Sequence, residues 1–320
     1  MMLGRVAARV GSTWRVFRWQ ARGYRIEDDV RLGHSRLRGK QVRIGEGARI
    51  GDRVTIEGDR IEIGKNVVIE SDVRIHAHSI EIGSETLIES GVVIGGLQTP
   101  RSSLRIGANC VVLHRSYLNT TYPLVLEDDV GVGGYCMIFT HGLWQSAFEG
   151  YPVSFGPVTI RRGVWLPWHV FVMPGVEIGE GATIGAGSVV VKSVPPRSLA
   201  VGTPAKVIKG PPEYPVALTE EERGRLVRLL LEDLGEDLRH RGVAARVVAS
   251  GGLRLESAWG GIVFGQQPAA GDVEIVLRGN ASGPHWVDLL TRDWRLDLSR
   301  PLHSALKLFL RRTGVRLLPK

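Results

Sequence analysis

Histidine and cysteine are the side chains of this sequence that could act as bases, nucleophiles or metal ligands. The chain has nine histidines and two cysteines. Cys110 and Cys136 are too few for a disulfide scaffold or a four-cysteine zinc site. His141 opens the longest interruption of an otherwise regular sequence, and a histidine is suited to exchange a proton near pH 7. The histidines are therefore the side chains best suited to acid–base chemistry near neutral pH.

Glycine is the unusual component of the composition and points to the elements that position this histidine. The chain has 41 glycines among 320 residues, with 16 prolines and 43% hydrophobic residues. That glycine content is well above the usual ~7% and is not accompanied by the proline excess of disordered or collagen-like chains. We expect many tight turns in a chain long enough for about two domains.

An internal repeat accounts for the glycines. An aliphatic residue recurs at intervals of six from Ile26 to Val194, at 22 positions in all. The fifth residue of these hexads was not used to choose the frame, and it is small at 19 of the 22 positions, the exceptions being Arg36, Arg60 and Gln98. Such a short period is the signature of a solenoid.

Three hexads should close one triangular coil, with the aliphatic residue pointing inward, a small residue near each corner, and glycine easing the turn. Coils are predicted to begin at Ile26, Ile44, Ile63, Ile82, Ile106, Leu126, Ile160 and Ile178. The two widest gaps place insertions around Gly95–Ser103 and His141–Pro157. Cys110 and Cys136 fall at small fifth positions and are predicted to pack inside.

The second insertion is the stronger candidate for function. Long loops in a compact solenoid are uncommon and usually functional. We expect this one to project from the coils and to contact substrate through an aromatic side chain, for which Trp144 is the candidate.

Several motifs in the repeat region are similar to those of the hexapeptide-repeat acyltransferases. They are Phe-Thr-His at 139–141, Gly-Val-Trp-Leu at 163–166, and the segments 184–192 and 202–209. The resemblance covers about residues 26–210 and is greatest to galactoside, maltose, xenobiotic and surface-polysaccharide O-acetyltransferases. It implies an all-β left-handed parallel β-helix of about eight coils, which forms a homotrimer with active sites between subunits.

The resemblance also implies a reaction, the transfer of acetyl from acetyl-CoA to a hydroxyl or amine of a sugar or nucleotide-sugar. The general base aligns with His141, and the backbone N–H that stabilises the oxyanion aligns with Trp168. This sequence departs from the family at Pro167-Trp168, where relatives have glycine and a small residue. The bulky indole is expected to reshape the channel for the pantetheine arm of coenzyme A.

Coenzyme A is expected along the last coils, with no metal. Family positions that contact it correspond to Ala186 near the thiol arm, Lys192 toward the phosphates, and Lys206 and Lys209 toward the nucleotide. Solvated lysines that cap the end of the solenoid are the alternative for this cluster. Trp165 matches a position that lines the acceptor pocket, with core packing as its alternative.

The N-terminal segment, residues 1–25, is predicted to be a basic amphipathic helix. It has arginines but no acidic residue before Tyr24. It could cap the open end of the solenoid or contact an anionic membrane surface, and the cap is favoured. Its arginines interrupt any signal-peptide core, and no apolar run is long enough for a membrane span, so a cytoplasmic protein is expected.

The C-terminal segment, residues 215–320, loses the hexads and is predicted to be a small α+β domain. Helices are predicted at Leu218–Arg241 and Leu302–Arg312, where acidic residues open the first and arginines close the second. Short strands are predicted at Val243–Val248, Gly261–Phe264 and Val273–Leu277. No catalytic motif is recognisable in this segment.

Three other functions are compatible with parts of the sequence. A zinc-dependent carbonic anhydrase uses a similar helix, but His76-x-His78 has the wrong ligand spacing and His114 lacks a nearby partner. A catalytically inactive scaffold whose C-terminal domain binds a partner is favoured by Pro167-Trp168, whereas His141 argues against it. The net charge of +8 permits nucleic-acid binding, yet no nucleic-acid module is present.

Overall fold

The computed structural model describes most of the chain, namely residues 14–142, 145–249, 252–270, 272–277, 281–313, 315 and 317. It consists of two compact units, of which the first ends at Val216 and the second begins at Ala217.

The first unit is a parallel β-helix whose strands form three sheets, here called faces A, B and C in chain order. Face A contains Arg25–Ile26, Gln41–Ile44, Arg60–Ile63, Ser79–Ile82, Ser103–Ile106, Leu124–Leu126, Val158–Ile160 and Glu177–Ile178. Face B contains Arg31–Leu32, Arg49–Ile50, Val68–Ile69, Leu87–Ile88, Val111–Val112, Gly131–Val132, Trp165–Leu166, Thr183–Ile184 and Leu199–Gly202, with Ala205–Lys209 antiparallel at its end. Face C contains Arg36–Arg38, Thr55–Glu57, Arg74–His76, Val93–Gly95, Tyr117–Asn119, Met137–Ile138, Phe171–Val172 and Val189–Val190.

The structure confirms the predicted six-residue repeat, because equivalent residues of successive coils pair in register. The eight residues predicted to begin the coils stack on one another along face A. The inward aliphatic residues form one continuous buried cluster, which removes their surface from water. Cys110 and Cys136 are both fully buried in it, and burial raises the pKa of the Cys136 thiol to about 11.

Both insertions leave the β-helix at the same edge, where the chain passes from face C to face A. We call this edge the C–A corner and the edge between faces B and C the B–C corner. The first insertion follows Val93–Gly95. The second begins with an antiparallel pair, His141–Gly142 with Ser154–Phe155, and includes the short 3-10 turn Ala147–Glu149. The solenoid therefore brings together two segments that are separated in sequence.

The described part of the N-terminal segment is helical over residues 14–20. Trp19 is buried in the same cluster as the coil interior, and Arg15 Nε donates to the Leu32 carbonyl at 2.8 Å. Trp14 and Phe17 remain largely exposed. This packing favours the cap over the membrane contact for residues 14–20.

The second unit contains two helices and one six-stranded sheet. The helices are Glu220–His240, which begins with a capping box between Thr219 and Glu222, and Pro301–Arg312. The strands are Ala245–Ala249, Leu253–Ser257, Gly260–Phe264, Val273–Val276, Trp286–Asp288 and Trp294–Arg295. The predicted bounds of both helices and of three strands agree with the structure to within two residues. Three strands were not predicted, namely Leu253–Ser257, Trp286–Asp288 and Trp294–Arg295, and the last two are only three and two residues long.

Candidate active site at the coil corners

His141 lies at the C–A corner against a buried cluster of polar side chains. Its Nδ1 is 3.0 Å from Asn119 Oδ1 and 3.3 Å from Thr121 Oγ1. Asn119 Oδ1 also accepts hydrogen bonds from the Thr121 backbone N–H at 3.1 Å and from the Thr140 hydroxyl at 2.7 Å. Asn119, Thr121 and Thr140 are each no more than 3% exposed.

This network assigns the proton on the imidazole. A backbone N–H can only donate, so the atom of Asn119 that binds the Thr121 N–H must be the carbonyl oxygen. That oxygen accepts from His141 as well, and Nδ1 must therefore carry the hydrogen. The Nε2 atom of the neutral ring keeps its lone pair, which is the arrangement of a general base.

The sequence reading missed Asn119 and Thr121. Buried polar side chains are costly unless each has a partner, and a fully satisfied network holds its members in one arrangement. The signal was available as the polar run Asn119-Thr120-Thr121, which interrupts an apolar repeat directly after a strand. Its significance depends on a contact between neighbouring coils that the sequence does not show.

The first insertion closes against the same network through Gly96. A Cβ at Gly96 would lie 2.5 Å from Thr121 Oγ1 and 2.8 Å from Asn119 Nδ2, so only glycine allows this approach. The next residue, Leu97, donates its backbone N–H to Thr121 Oγ1 at 3.1 Å. The insertion thereby adds a further hydrogen bond to a residue that contacts His141.

Aromatic rings flank the histidine on two sides. The Phe139 and Phe155 ring centroids lie 6.4 and 6.2 Å from that of His141. Phe139 also stacks on Phe171 at 5.1 Å, and Tyr122 lies 5.6 Å from Phe155. These partly exposed rings offer apolar surfaces on either side of a polar group, as in many ligand pockets.

Trp168 lies at the B–C corner in a different setting. Its indole covers Gly134, where any Cβ would collide with the ring, and its centroid is 5.0 Å from the His114 ring. His114 is itself held by Glu89, which accepts from both its backbone N–H and Nδ1 at 3.0 Å. Glycine at position 134 thus opens a gap through which two side chains from non-adjacent coils meet.

The Trp168 backbone N–H has no hydrogen-bond acceptor among the described residues. At other turns of this corner the equivalent N–H groups of His34, Ser90 and His114 bind a carboxylate of a neighbouring coil. The corner residues on either side of Trp168 are Gly134 and Ala186, which have no side-chain oxygen. This N–H is therefore left available to a ligand.

Two of the predicted coenzyme A positions share the B–C corner with Trp168. Ala186 is in the next coil, where the Gly187 N–H donates to the Trp168 carbonyl at 2.9 Å. Lys206 is opposite Val201 on the antiparallel strand that follows. Lys209 lies further along that strand, toward face A, and both lysines are exposed.

Other predicted positions lie elsewhere. Lys192 is exposed near the C–A corner, two residues after Val189–Val190. Trp165 lies on face B with its indole over Gly131 and is 37% exposed, so it is neither core nor beside His141. Trp144 falls outside the described residues.

Comparison with known proteins finds a family model that matches part of the coils. The model for the hexapeptide repeat of succinyl-transferase matches residues 41–77 and 170–192. The chain is 57% identical over 61 residues to a candidate acetyltransferase of Staphylococcus aureus, a match over 19% of this chain and 30% of that one. It is 34% identical over 114 residues to galactoside O-acetyltransferase of Escherichia coli, over 32% and 55%.

The chain therefore spans between 30% and 55% of the length of these curated relatives. Among solved structures, a UDP-N-acetylglucosamine acyltransferase of Francisella novicida is 18% identical. That likeness covers 68% of this chain and 83% of the other, with a TM-score of 0.49.

The two candidate groups do not meet within one hexapeptide-repeat chain. Met137 and Phe171 are in register on face C, with His141 four residues after the first and Trp168 three residues before the second. At about 3.3 Å per residue they are separated by on the order of 20 Å along this face. One chain presents His141 at one corner and the free N–H of Trp168 at another.

No group of three or more His, Cys, Asp or Glu side chains is arranged among the described residues to hold a metal ion. No helix in the described part of the chain is both long and apolar enough to span a bilayer.

Proposed function

We propose that the protein is an acetyl-CoA-dependent acyltransferase that acts on a hydroxyl or amine of a sugar or nucleotide-sugar. The observation that carries this proposal is the hydrogen bond between His141 Nδ1 and Asn119 Oδ1, because it leaves Nε2 free to act as the base. The similarity to galactoside O-acetyltransferase supports the substrate class.

The reaction needs one proton transfer and one acyl transfer. His141 Nε2 takes the proton of the acceptor hydroxyl as its oxygen attacks the thioester carbonyl carbon. The carbon–sulfur bond then breaks, and the sulfur leaves as the thiol with a proton returned from the imidazolium. The negative charge that develops on the carbonyl oxygen needs a fixed donor, and the free N–H of Trp168 is the group we assign to it.

We assign the donor a course along the B–C corner. The thioester end would lie at Trp168, the thiol arm would pass Ala186, and the nucleotide end would reach Lys206 and Lys209. These lysines are exposed and form no ion pair with any described residue, so they can meet an anion. Lys192, at the other corner, would contact the phosphates from a neighbouring chain.

The separation of His141 and Trp168 supports a site shared between subunits. The family resemblance implies a homotrimer, in which the C–A corner of one chain would face the B–C corner of the next. Light scattering under assay conditions should give a trimer. A monomer with full activity would contradict the shared site.

Replacement of the base tests the proposal directly. We expect His141→Ala to lower kcat for acetyl transfer by roughly 10²- to 10⁴-fold, since a positioned base typically contributes that much. Release of coenzyme A measures the rate against a panel of sugars and nucleotide-sugars. His34→Ala is the matched control, because His34 Nδ1 also binds a side-chain oxygen, that of Asp52 at 3.2 Å, at a distant coil. Equal rates for wild type and His141→Ala would refute the assignment.

A further inference from the structure

A groove of about 470 Å³ runs along the C–A corner in the coils that precede His141. Its walls are mixed, with Gly39, Gly58, Ala77 and Pro100 beside polar side chains. The polar side chains include Arg38, Lys40, Glu57, Asp59, His78 and Gln98. None of these residues belongs to the site described above.

The groove is continuous with the histidine network. The His76 carbonyl, which lies in its wall, accepts from the Thr120 hydroxyl and from Gln98 Nε2, both at 3.1 Å. Thr120 precedes Thr121, which contacts His141. With coils about 4.8 Å apart, the groove extends from roughly 10 Å, at Gln98, to roughly 24 Å, at Arg38 and Lys40, below the His141 coil.

The charges that line the groove are balanced. Lys40 Nζ lies 2.7 Å from Asp59 Oδ2, and Arg38 Nε lies 3.9 Å from Glu57 Oε1. The hydrogen bond from Lys40 holds the pKa of the Asp59 carboxyl below its ordinary value, so this carboxylate stays ionised. A diphosphate would need unpaired cations, which these two pairs do not supply. Carboxylate, ammonium, guanidinium and amide groups side by side instead match the donors and acceptors of hydroxyl groups.

We propose that this groove is an acceptor subsite for the uncharged oligosaccharide chain that continues from the sugar acetylated at His141. The inference rests on the proposed function and narrows it, because it favours an extended neutral glycan over a nucleotide-sugar. The sugar units beyond the reacting one would lie along the C–A corner and hydrogen-bond to the paired charges. The aromatic rings beside His141 would hold the reacting unit.

Acceptor length is the variable that tests the subsite. We would measure acetyl transfer to neutral linear glycans from monosaccharide to pentasaccharide of the malto-, cello- and chito-series, with UDP-N-acetylglucosamine in parallel. For the series that is accepted, kcat/KM should rise about tenfold with length through KM alone. Asp59→Ala should remove that rise and leave the monosaccharide rate unchanged.

Asp72→Ala is the matched control, because Asp72 forms a similar exposed ion pair with Arg53, at 2.6 Å, on the B–C corner. Exposed pairs contribute little to stability, so both variants should fold. Equal kcat/KM for short and long acceptors, a preference for UDP-N-acetylglucosamine, or an unaltered Asp59→Ala profile would each overturn the subsite.

Direct binding separates this proposal from the proposed function. Saturation-transfer NMR with the pentasaccharides should detect binding to wild type and His141→Ala but not to Asp59→Ala. If no acceptor is acetylated and this binding pattern holds, the proposed function fails while the subsite stands. If none of the pentasaccharides binds to wild type, the subsite is refuted.

Discussion

The C–A corner and the B–C corner are built from the same coils but meet opposite requirements. At the C–A corner, Asn119 and Thr140 are buried, and their polar side-chain atoms hydrogen-bond within the network around His141. At the B–C corner, Trp168 is 40% exposed and its N–H is left open by its neighbours Gly134 and Ala186. The C–A corner holds the His141 side chain by hydrogen bonds, whereas the B–C corner has no side-chain acceptor beside the Trp168 N–H among the described residues.

The difference follows from what each group must do. An imidazole can rotate and change tautomer, so a base needs side chains that restrain it. A backbone N–H is already restrained by its coil, so it needs only that competing acceptors be absent. Polar residues accordingly gather at His141, whereas Gly134 and Ala186 are the corner residues in the coils on either side of Trp168.

The largest effect is expected when the restraint on the base is removed. Asn119→Ala takes away the oxygen that binds Nδ1, and we expect kcat to fall by roughly 10²-fold, a share of what the base contributes. It also leaves the Thr121 N–H without its acceptor, at about 1–3 kcal/mol, whereas the Thr140 hydroxyl can still donate to the backbone carbonyl of residue 119. Chemical denaturation measures that loss beside the rate.

Thr86→Ala controls for stability alone. Thr86 is 1% exposed and binds the Gly107 carbonyl and the Cys110 N–H in another coil, with no contact to His141. It should lower the free energy of unfolding without a comparable loss of kcat. If the two variants lose activity in proportion to stability, the network has no role in orienting the base.

A charge at the same position should move the pH dependence in a defined direction. Asn119→Asp places a carboxylate beside Nδ1, which favours the imidazolium over the neutral ring. The proposed transfer requires the neutral ring, so the acidic limb of the kcat profile should shift to higher pH. Wild-type activity should be approached again at alkaline pH. An unshifted limb would show that His141 is not the group that titrates.

The sequence predicts the structure well where the type of a single residue determines whether its side chain points inward. The hexad aliphatics specify inward positions whatever their neighbours, and all eight coil starts lie in register as predicted. His141 is proposed as the base because it begins an insertion and matches a family motif. The left hand of the coil came from that resemblance rather than from the pattern.

The sequence was uninformative where function depends on contacts between coils. Asn119 meets His141 because Tyr117–Asn119 and Met137–Ile138 pair in register, which leaves the residues that follow at one corner of adjacent coils. The contact between His114 and Trp168 depends on the absence of a side chain at Gly134. The period specifies the inward positions, but it does not specify which corner side chains of different coils meet.

The smallest predicted effect distinguishes the two tryptophans that lie over glycines. Gly134→Ala and Gly131→Ala place the same methyl group beneath Trp168 and Trp165 respectively, and each must displace an indole. Only Trp168 carries the N–H that we assign to the oxyanion. We therefore expect Gly134→Ala to lower kcat about tenfold, a part of the 10²- to 10³-fold that a lost oxyanion donor costs. Gly131→Ala should leave kcat near the wild-type value, and any change should be in KM for the acceptor. Similar losses of kcat in both variants would mean that the B–C corner contributes packing rather than a donor to the reaction.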